Sequence, residues 1–143
     1  IRLKDDSDEV VGMISVNDMD SDILVVSENG YGKRSSLEDY RMTNRGGKGV
    51  KTISITDKTG QLVTIKNVCD GDDLMIINKS GIAIRMEVSS LRVMGRATQG
   101  VKLINLKDSD SIAAVAKVVN DDEDVSDLDE IDVVETKEEE NEN

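Results

Sequence analysis

The sequence predicts an all-β protein built from repeated units of four short antiparallel strands. Apolar runs of about four to eight residues, rich in Val, Ile and Leu, alternate with turns rich in Gly, Asn, Asp and Ser, which is typical of β structure. One stretch of the chain recurs after 51 residues, a period found in repeat architectures. Helical periodicity is nearly absent, so the pattern favours strands throughout.

The first unit begins with a buried β-branched run and continues through a hairpin. Residues 23–27 (ILVVS) predict a strand, 28–30 (ENG) a turn, and 31–35 (YGKRS) the returning strand. A connection over residues 36–48 follows, in which SSLEDYR predicts at most one helical turn. The remaining predictions are strands at 50–55 (VKTISI) and 61–68 (QLVTIKNV), separated by a turn at 57–60.

The second unit follows the same plan. Its predictions are strands at 74–78, 82–86, 101–106 and 112–119, with a connection at 87–100. Residues 10–16 (VVGMISV) predict the last strand of a preceding unit. Each unit corresponds to one blade of a propeller-like array. The predicted organisation is a blade remnant at 1–19, a penultimate blade at 20–70, a last blade at 71–119 and an acidic tail at 120–143.

The repeat retains charged residues as well as apolar ones. Nine positions are identical when residues 22–55 are set against 73–106 without a gap. They are Asp22/Asp73, Gly30/Gly81, Arg34/Arg85, Arg41/Arg92, Arg45/Arg96, Gly49/Gly100, Val50/Val101, Lys51/Lys102 and Ile53/Ile104. A repeat retained for folding alone would keep core positions, so the retained cations indicate a surface function.

Two blades and a remnant are too few to close a propeller, which needs at least about four blades. We therefore expect the chain to be a piece of a longer protein, as its start at Ile1 without an initiating Met also suggests. No apolar run approaches the roughly 18 residues of a membrane span, and no signal-peptide pattern is present. We expect a cytoplasmic location and no membrane partner.

The negative charge of the chain is confined to its end. The formal net charge is -12, yet residues 1–119 carry 17 basic and 17 acidic side chains. Residues 120–143 carry one Lys against 13 acidic residues and supply the whole excess. A segment with this charge and few large apolar residues cannot bury enough surface to fold, so it is predicted to be disordered.

The composition excludes several kinds of site. The chain has no His, one Cys and no Trp or Phe. It therefore lacks an imidazole base and a thiolate zinc cluster. With only Tyr31 and Tyr40 as aromatic residues, binding of single strands by base stacking is not expected. No metal site and no catalytic residue are predicted.

The candidate nucleic-acid-binding residues lie in and around the two connections. Arg and Lys neutralise phosphates, and Gly lets the backbone approach them closely. The candidates are Lys33, Arg34, Arg41, Arg45, Gly46, Gly47, Lys48 and Lys51 in the first unit, and Arg85, Arg92, Arg96 and Lys102 in the second. Stacked units would place these side chains along a curved track. Arg34 and Arg85 have a structural alternative, since each follows a strand and can pair with Asp22 or Asp73.

The connections resemble a known family. The segments GYGKRSSLEDYRMTNRGGKGVKTI and VMGRATQGVKLI are similar to the carboxy-terminal domain of the bacterial DNA gyrase A subunit, and the similarity covers residues 1–119. The resemblance implies a partial β-pinwheel, a propeller-like fold in which neighbouring blades exchange strands. The family's box Gln-Arg-Arg-Gly-Gly-Lys-Gly lies in its first blade, so NRGGKG at 44–49 is interpreted as a degenerate copy.

This resemblance implies a function for the cations. The family binds and wraps duplex DNA through its phosphates, so that the holoenzyme introduces negative supercoils. The implied partners are double-stranded DNA, the gyrase B subunit and a second gyrase A subunit, and the implied location is the bacterial chromosome. No cofactor is expected in this chain, whereas the parent ATP-dependent type II topoisomerase would use ATP and Mg²⁺. The equivalent domain of topoisomerase IV and a propeller-like protein-interaction module are alternative interpretations.

Overall fold

The computed structural model describes residues 3–119, which form two antiparallel sheets. The strands of this part are β1 (Asp22–Ser27), β2 (Tyr31–Ser36), β3 (Leu62–Val68), β4 (Asp72–Asn78), β5 (Ala83–Glu87), β6 (Val101–Lys102) and β7 (Ile112–Val119). The first sheet has the order β3-β1-β2-β6 and the second the order β5-β4-β7. The all-β prediction is confirmed, and the predicted disordered tail lies outside the described residues.

The two sheets contain the same hairpin. Gly30 has φ +81°, and its N–H donates to the Ser27 carbonyl over 3.1 Å, which closes the β1–β2 turn. Gly81 has φ +87° in the β4–β5 turn and donates to Asn78 in the same way. Asp22 pairs with Ser36, and Asp73 pairs with Glu87, so the register of the hairpin repeats with the 51-residue period.

The last strand of each repeat also pairs with the first. β3 lies antiparallel to β1, and β7 lies antiparallel to β4, each with an irregularity near the hairpin end. The β7 register differs by one residue from the 51-residue period, because Asp22 faces Val68 while Asp73 faces Val118. The predicted strands at 61–68 and 112–119 are therefore correct, and the ungapped repeat ends before β7.

A strand of the second repeat completes the sheet of the first. β6 pairs with β2, with Tyr31 opposite Lys102 and Gly32 opposite Val101. The Leu103 N–H donates to the Gly30 carbonyl over 2.8 Å just beyond this pair. The fourth strand of the first sheet thus comes from the next repeat, which agrees with the strand exchange that the resemblance implies. In the described part of the chain the second sheet has three strands.

Three strand predictions are wrong or too long. Residues 10–16 and 50–55 form no strand, and only Val101–Lys102 of the predicted strand 101–106 is in a ladder. The alternation at 50–55 has another origin, since Ile53 is buried against Ile23 and Val25. The Ser54 N–H donates to the Thr98 carbonyl over 3.1 Å. This segment therefore lies against a loop of the second repeat and is not paired in a sheet.

The two faces of β1 pack into different clusters. Leu24 and Val26 join the larger core cluster, which includes Leu74 and Ile76 of the second sheet. The alternate residues Ile23 and Val25 form a smaller cluster against Ile53 and the partly buried side chains of residues 14 and 16. The first sheet is therefore covered on both faces, and its larger cluster joins it to the second sheet.

Short 3-10 turns follow β2 and β5, at Leu37–Asp39 and Val88–Ser90. The first confirms the predicted single helical turn, and the Ser36 hydroxyl accepts a hydrogen bond from the Glu38 N–H over 3.2 Å at its start. No helix within residues 3–119 has the length and apolarity required to cross a membrane.

Candidate nucleic-acid interface

Arg34 is buried in the first sheet and is held by two carboxylates. Its Nε lies 2.6 Å from Asp22 Oδ2, and its Nη1 lies 2.5 Å from Asp70 Oδ1. Nη1 also donates to the carbonyl oxygens of Val88 and Leu91 in the second repeat. The structural alternative for Arg34 is therefore confirmed, and a phosphate could reach this guanidinium only after these contacts were broken.

Arg85 repeats the pairing at a more exposed position. Its Nη2 lies 2.5 Å from Asp73 Oδ2, but 53% of the Arg85 side chain is exposed. The Asp73 side chain is only 10% exposed, so the pair is partly buried while the guanidinium remains accessible at the surface. The structure thus separates the two copies: Arg34 is a buried structural residue, whereas Arg85 is a paired cation at the surface.

Lys33 is also buried, with only 1% of the residue exposed. Its Nζ donates to the Gly95 carbonyl over 2.6 Å, to the Arg96 carbonyl, and to Thr98 Oγ1 over 3.4 Å. Burial lowers the pKa of this ammonium below the usual lysine value. Lys33 therefore has its donors directed into the protein and does not lie among the accessible cations.

Arg96 brings the second connection against the first. Its Nε donates to the Asp39 carbonyl over 3.0 Å, and its Nη1 donates to the Lys51 carbonyl over 2.5 Å. Arg96 of the second repeat therefore lies on the backbone of the first connection at Lys51, and Arg41 follows the other contact residue, Asp39, by two positions. We call the group formed by Arg41, Lys51 and Arg96 the inter-repeat cluster.

The other predicted cations remain at the surface. Those that are exposed and have no ion-pair partner among residues 3–119 are Arg41, Arg45, Lys48, Lys51, Arg92 and Lys102. Two repeated pairs, Arg41/Arg92 and Lys51/Lys102, are exposed in both copies. Their charges are therefore not neutralised by neighbouring acids of the described chain, which leaves them available to an external anion.

The glycine-rich loop at residues 44–49 forms a turn. Gly46 has φ +75°, a conformation that residues with a Cβ rarely adopt. The Gly47 N–H donates to the Asn44 carbonyl over 3.2 Å, so this amide is engaged within the turn. The loop therefore presents Arg45 and Lys48 on an exposed turn, and the Gly47 N–H is bonded to the Asn44 carbonyl within that turn.

A second group of lysines surrounds Tyr31 at the hairpin end of the first sheet. The Lys58 Nζ lies 5.4 Å from the centre of the Tyr31 ring, within the range of a cation–π contact. The ring borders a shallow depression of about 260 Å³. Its lining includes Lys58, Lys102 and Lys107 together with Asp108 and Asp110. We call the three lysines the hairpin-end cluster.

Sequence reasoning missed Lys58 and Lys107. Both lie in the turn that precedes the last strand of a repeat, but they do not coincide under the 51-residue period. Identity between repeats therefore could not select them. The signal that was available is the presence of a lysine in each of the two corresponding turns, at residues 57–60 and 107–110.

The sequence matches a family model described as the DNA gyrase C-terminal domain, β-propeller, over residues 1–17, 21–69 and 72–118. It is 49% identical over 121 residues to the DNA gyrase A subunit of Staphylococcus aureus strain NCTC 8325, covering 83% of this chain. The same protein of strain MRSA252 is 48% identical over 118 residues, covering 81% of this chain. The chain spans 14% of the length of the first relative and 13% of the second.

Solved structures agree with these matches. A structure of a DNA gyrase A C-terminal domain is similar with a TM-score of 0.64 and 28% identity, over 68% of this chain and 33% of the other. The C-terminal domain of a DNA topoisomerase IV has a TM-score of 0.67 at 17% identity, over 73% and 32%, and shows a similar fold. The family match and the identity to the relatives, together with these structures, show that this chain belongs to the DNA gyrase C-terminal domain family.

Proposed function

We propose that this chain binds double-stranded DNA through its phosphates, as part of a bacterial DNA gyrase A subunit, and bends the duplex along its surface. The observation that carries the proposal is the inter-repeat cluster, where Arg96 bonds to the backbones of Asp39 and Lys51. This contact sets the partly exposed Arg96 of the second repeat against the backbone of Lys51, an exposed cation of the first repeat. Duplex DNA offers about one negative charge per 1.7 Å of its axis, so neighbouring cations can meet neighbouring phosphates.

The distribution of the charge supports contact with a polyanion. Residues 1–119 are neutral overall, with 17 basic and 17 acidic side chains, yet the exposed connections are basic. The hairpin-end cluster adds Lys58 and Lys107 beside Lys102. Lys33 and Arg34 are left out of the proposed interface because their charged groups are buried and bonded. Arg85 is a weaker member because it pairs with Asp73.

The fold favours contact with the DNA backbone over reading of bases. Within residues 3–119 the helical segments are 3-10 turns of three residues, too short to act as a recognition helix in the major groove. The proposed cations lie on loops and strand ends. We expect nearly sequence-independent binding, biased by the cost of bending, which is on the order of 1–6 kcal/mol for a short site.

The proposal includes a role within the larger enzyme. A duplex bent around this domain would be presented to the strand-passage part of gyrase, which would then introduce negative supercoils. The gyrase B subunit, a second gyrase A subunit, ATP and Mg²⁺ belong to that complex. The relatives, which are named as the A protein of DNA gyrase, support this assignment over topoisomerase IV, because the latter similarity rests on 17% identity.

Salt-dependent DNA binding tests the phosphate contacts. If about five phosphates are neutralised, log K falls with log salt with a slope near −4.5. Substituting Arg41→Gln, Arg92→Gln and Lys102→Gln together should weaken binding and make the slope less steep by about 2.7. A control with Lys4→Gln, Lys66→Gln and Lys117→Gln removes the same charge outside the connections. Equal slopes for the two triple variants would contradict the proposed interface.

A topological assay tests bending. Nicked circular DNA is ligated in the presence of the complete gyrase A protein, and the linking-number distribution is measured by gel electrophoresis. We expect the unaltered protein to shift the distribution and the variant Arg45→Glu, Lys48→Glu, Arg96→Glu, Lys102→Glu to lose most of that shift. DNA binding without any shift would reject bending but not phosphate contact. A chain that binds neither DNA nor heparin would favour the protein-interaction alternative.

A further inference from the structure

Lys33 makes an unusual contact for a residue in a strand next to a basic surface. Its ammonium reaches into the loop of residues 95–100, where it meets two backbone carbonyls and the Thr98 hydroxyl. An ammonium has three N–H donors, and three acceptors of the loop surround it. The residue is 1% exposed, so these contacts replace its hydration. The 95–100 loop belongs to the second repeat, whereas Lys33 belongs to the first.

The same loop touches the first repeat at several further points. The Met94 N–H donates to the Arg34 carbonyl over 2.7 Å, immediately before the loop. The Gln99 amide donates to Thr56 Oγ1 over 3.1 Å, and the Thr98 carbonyl accepts from the Ser54 N–H. Arg96 adds its bonds to the Asp39 and Lys51 carbonyls. Among these contacts Lys33 is the one whose charged group is enclosed by the loop.

The equivalent residue of the second repeat is apolar. Under the 51-residue period Lys33 corresponds to Ile84, and Gly32 corresponds to Ala83. A Cβ on Gly32 would lie 2.5 Å from Leu103 Cδ1 and 2.7 Å from the Val25 carbonyl oxygen, so a side chain here requires its neighbours to shift. Ala83 lies on an exposed edge, and residues 120–143 contain no third copy of the repeat. The Gly–Lys pair therefore occurs where β6 of the following repeat docks, whereas no strand within residues 3–119 docks on the β5 edge that carries Ala83.

We propose that Lys33 is a positioning residue that holds the 95–100 loop against the first sheet and thereby fixes Arg96 within the inter-repeat cluster. The proposal rests on the proposed function for its consequence in DNA binding, but the positioning itself is independent of DNA. A cation of one repeat orders the cation-bearing loop of the next. Its effect on DNA is indirect, because its own charge is not accessible.

The arrangement also offsets the cost of burying the Lys33 charge. Desolvation of an ammonium opposes folding, whereas its hydrogen bonds to the loop favour the docked arrangement. Substitution with Met, which has a similar length, removes the desolvation cost and leaves the Gly95 and Arg96 carbonyls without their donor. The loop should therefore loosen while the rest of the fold is kept.

Amide hydrogen exchange of Lys33→Met tests this prediction. The reporters are the N–H groups of Ser54 and Met94, which bond across the contact, and the controls are those of Ile76 and Val115 in the second sheet. We expect exchange at the reporters to rise on the order of tenfold, with little change at the controls. Ile84→Met is the matched variant and should leave the reporters unchanged. Unchanged reporters in Lys33→Met, or equal acceleration at all four amides, would overturn the proposal.

If Lys33→Met does not fold, an NMR measurement on the unaltered chain tests the contact between the Lys33 ammonium and the 95–100 loop. A buried ammonium with carbonyl partners exchanges its protons slowly. We expect one persistent lysine ¹⁵Nζ signal, assigned to Lys33, with scalar coupling to the carbonyl carbons of Gly95 or Arg96. Rapid exchange of every lysine ammonium would overturn the proposed contact.

A double-mutant cycle links the contact to DNA. If Lys33 acts by placing Arg96, the loss of affinity in Lys33→Met should largely vanish in an Arg96→Gln background. Additive losses would indicate that Lys33 acts by another route and would reject the positioning role in binding. Failure of the unaltered chain to bind DNA would overturn the proposed function alone, because exchange and NMR test the positioning of the loop without DNA.

Discussion

Arg34 and Arg85 demonstrate that the same repeated residue can differ in its environment. Both pair with the Asp at the start of the preceding strand, Asp22 or Asp73. The side chain of Arg34 is 9% exposed and that of Arg85 is 53% exposed. The difference arises because the second repeat covers Arg34, and its Val88 carbonyl accepts from the guanidinium. Repetition in sequence therefore identifies an ion pair without revealing which copy is buried.

This difference predicts unequal effects on stability. Arg34→Met should lower the free energy of unfolding by roughly 3–5 kcal/mol, because Asp22 is left as an uncompensated, largely buried charge. Arg85→Met should cost less, roughly 1–3 kcal/mol, because buried Asp73 loses this partner but about half of the Arg85 side chain is already exposed to solvent. Urea denaturation followed by circular dichroism measures both. Arg41→Met, at an exposed cation, is the control, and similar losses for Arg34→Met and Arg85→Met would contradict the assignment.

The sequence could predict the partner of Arg34 but not that of Lys33. Arg34 and Asp22 are both retained in the repeat and lie on adjacent strands of one hairpin, so their pairing follows from local pattern. The partners of Lys33 are backbone carbonyls of Gly95 and Arg96, which carry no side-chain signature and lie in another repeat. The sequence therefore predicts that Lys33, next to a retained arginine, is accessible, whereas in the structure it is buried.

At the scale of the strands, β2 and β5 occupy the same position in two hairpins but have different neighbours. β2 is covered by β6, and Gly32 lies under Leu103 at this contact. Ala83 of β5 is exposed, and no described strand pairs with that edge. Within residues 3–119 only β2 receives a strand from the following repeat, and a side chain at Gly32 would meet both Leu103 beside that strand and the backbone of β1.

A methyl group on β2 should therefore weaken the contact between the repeats. Gly32→Ala places a Cβ 2.7 Å from the Val25 carbonyl oxygen, in addition to its clash with Leu103. We expect a loss of about 1–3 kcal/mol in the free energy of unfolding, as for other overpacked sites. Ala83→Gly on β5 is the matched control and should change it by less than about 1 kcal/mol. Urea titration measures both, and an unaffected Gly32→Ala would refute the proposed packing.

The hairpins could be predicted from the sequence more reliably than the segments between them. β1, β2 and their turn follow from β-branched residues and Gly30, and β7 matches its predicted bounds of 112–119. Residues 50–55 alternate like a strand, but the alternation reflects the burial of Ile53 on the smaller cluster. Periodicity reports which side chains are buried, and it does not reveal whether a neighbouring backbone completes the ladder.

At the scale of the whole molecule, charge of opposite sign is separated along the chain. The described body carries the exposed cations, and residues 120–143 carry a formal charge of -12. A tethered polyanion competes with DNA for the same cations, most strongly when salt does not screen it. We therefore predict that the acidic segment weakens DNA binding.

Removal of residues 120–143 should increase DNA affinity at least about tenfold at low ionic strength, with a smaller gain at high salt. A second variant keeps the length but replaces its 13 acidic residues with Asn or Gln, which separates the effect of charge from that of length. Gel-shift titrations at two salt concentrations measure affinity. If the neutral variant binds like the unaltered chain, competition by charge is rejected.

The pairing of β6 with β2 also affects how the protein emerges during synthesis. When a ribosome has released the first repeat but not residues 101–102, the N–H and C=O groups along β2 lack their final neighbour. An unpaired edge of this kind can associate with another nascent chain on the same messenger. Prompt translation through the following repeat would shorten that interval, so slow codons between the repeats should favour aggregation of the product.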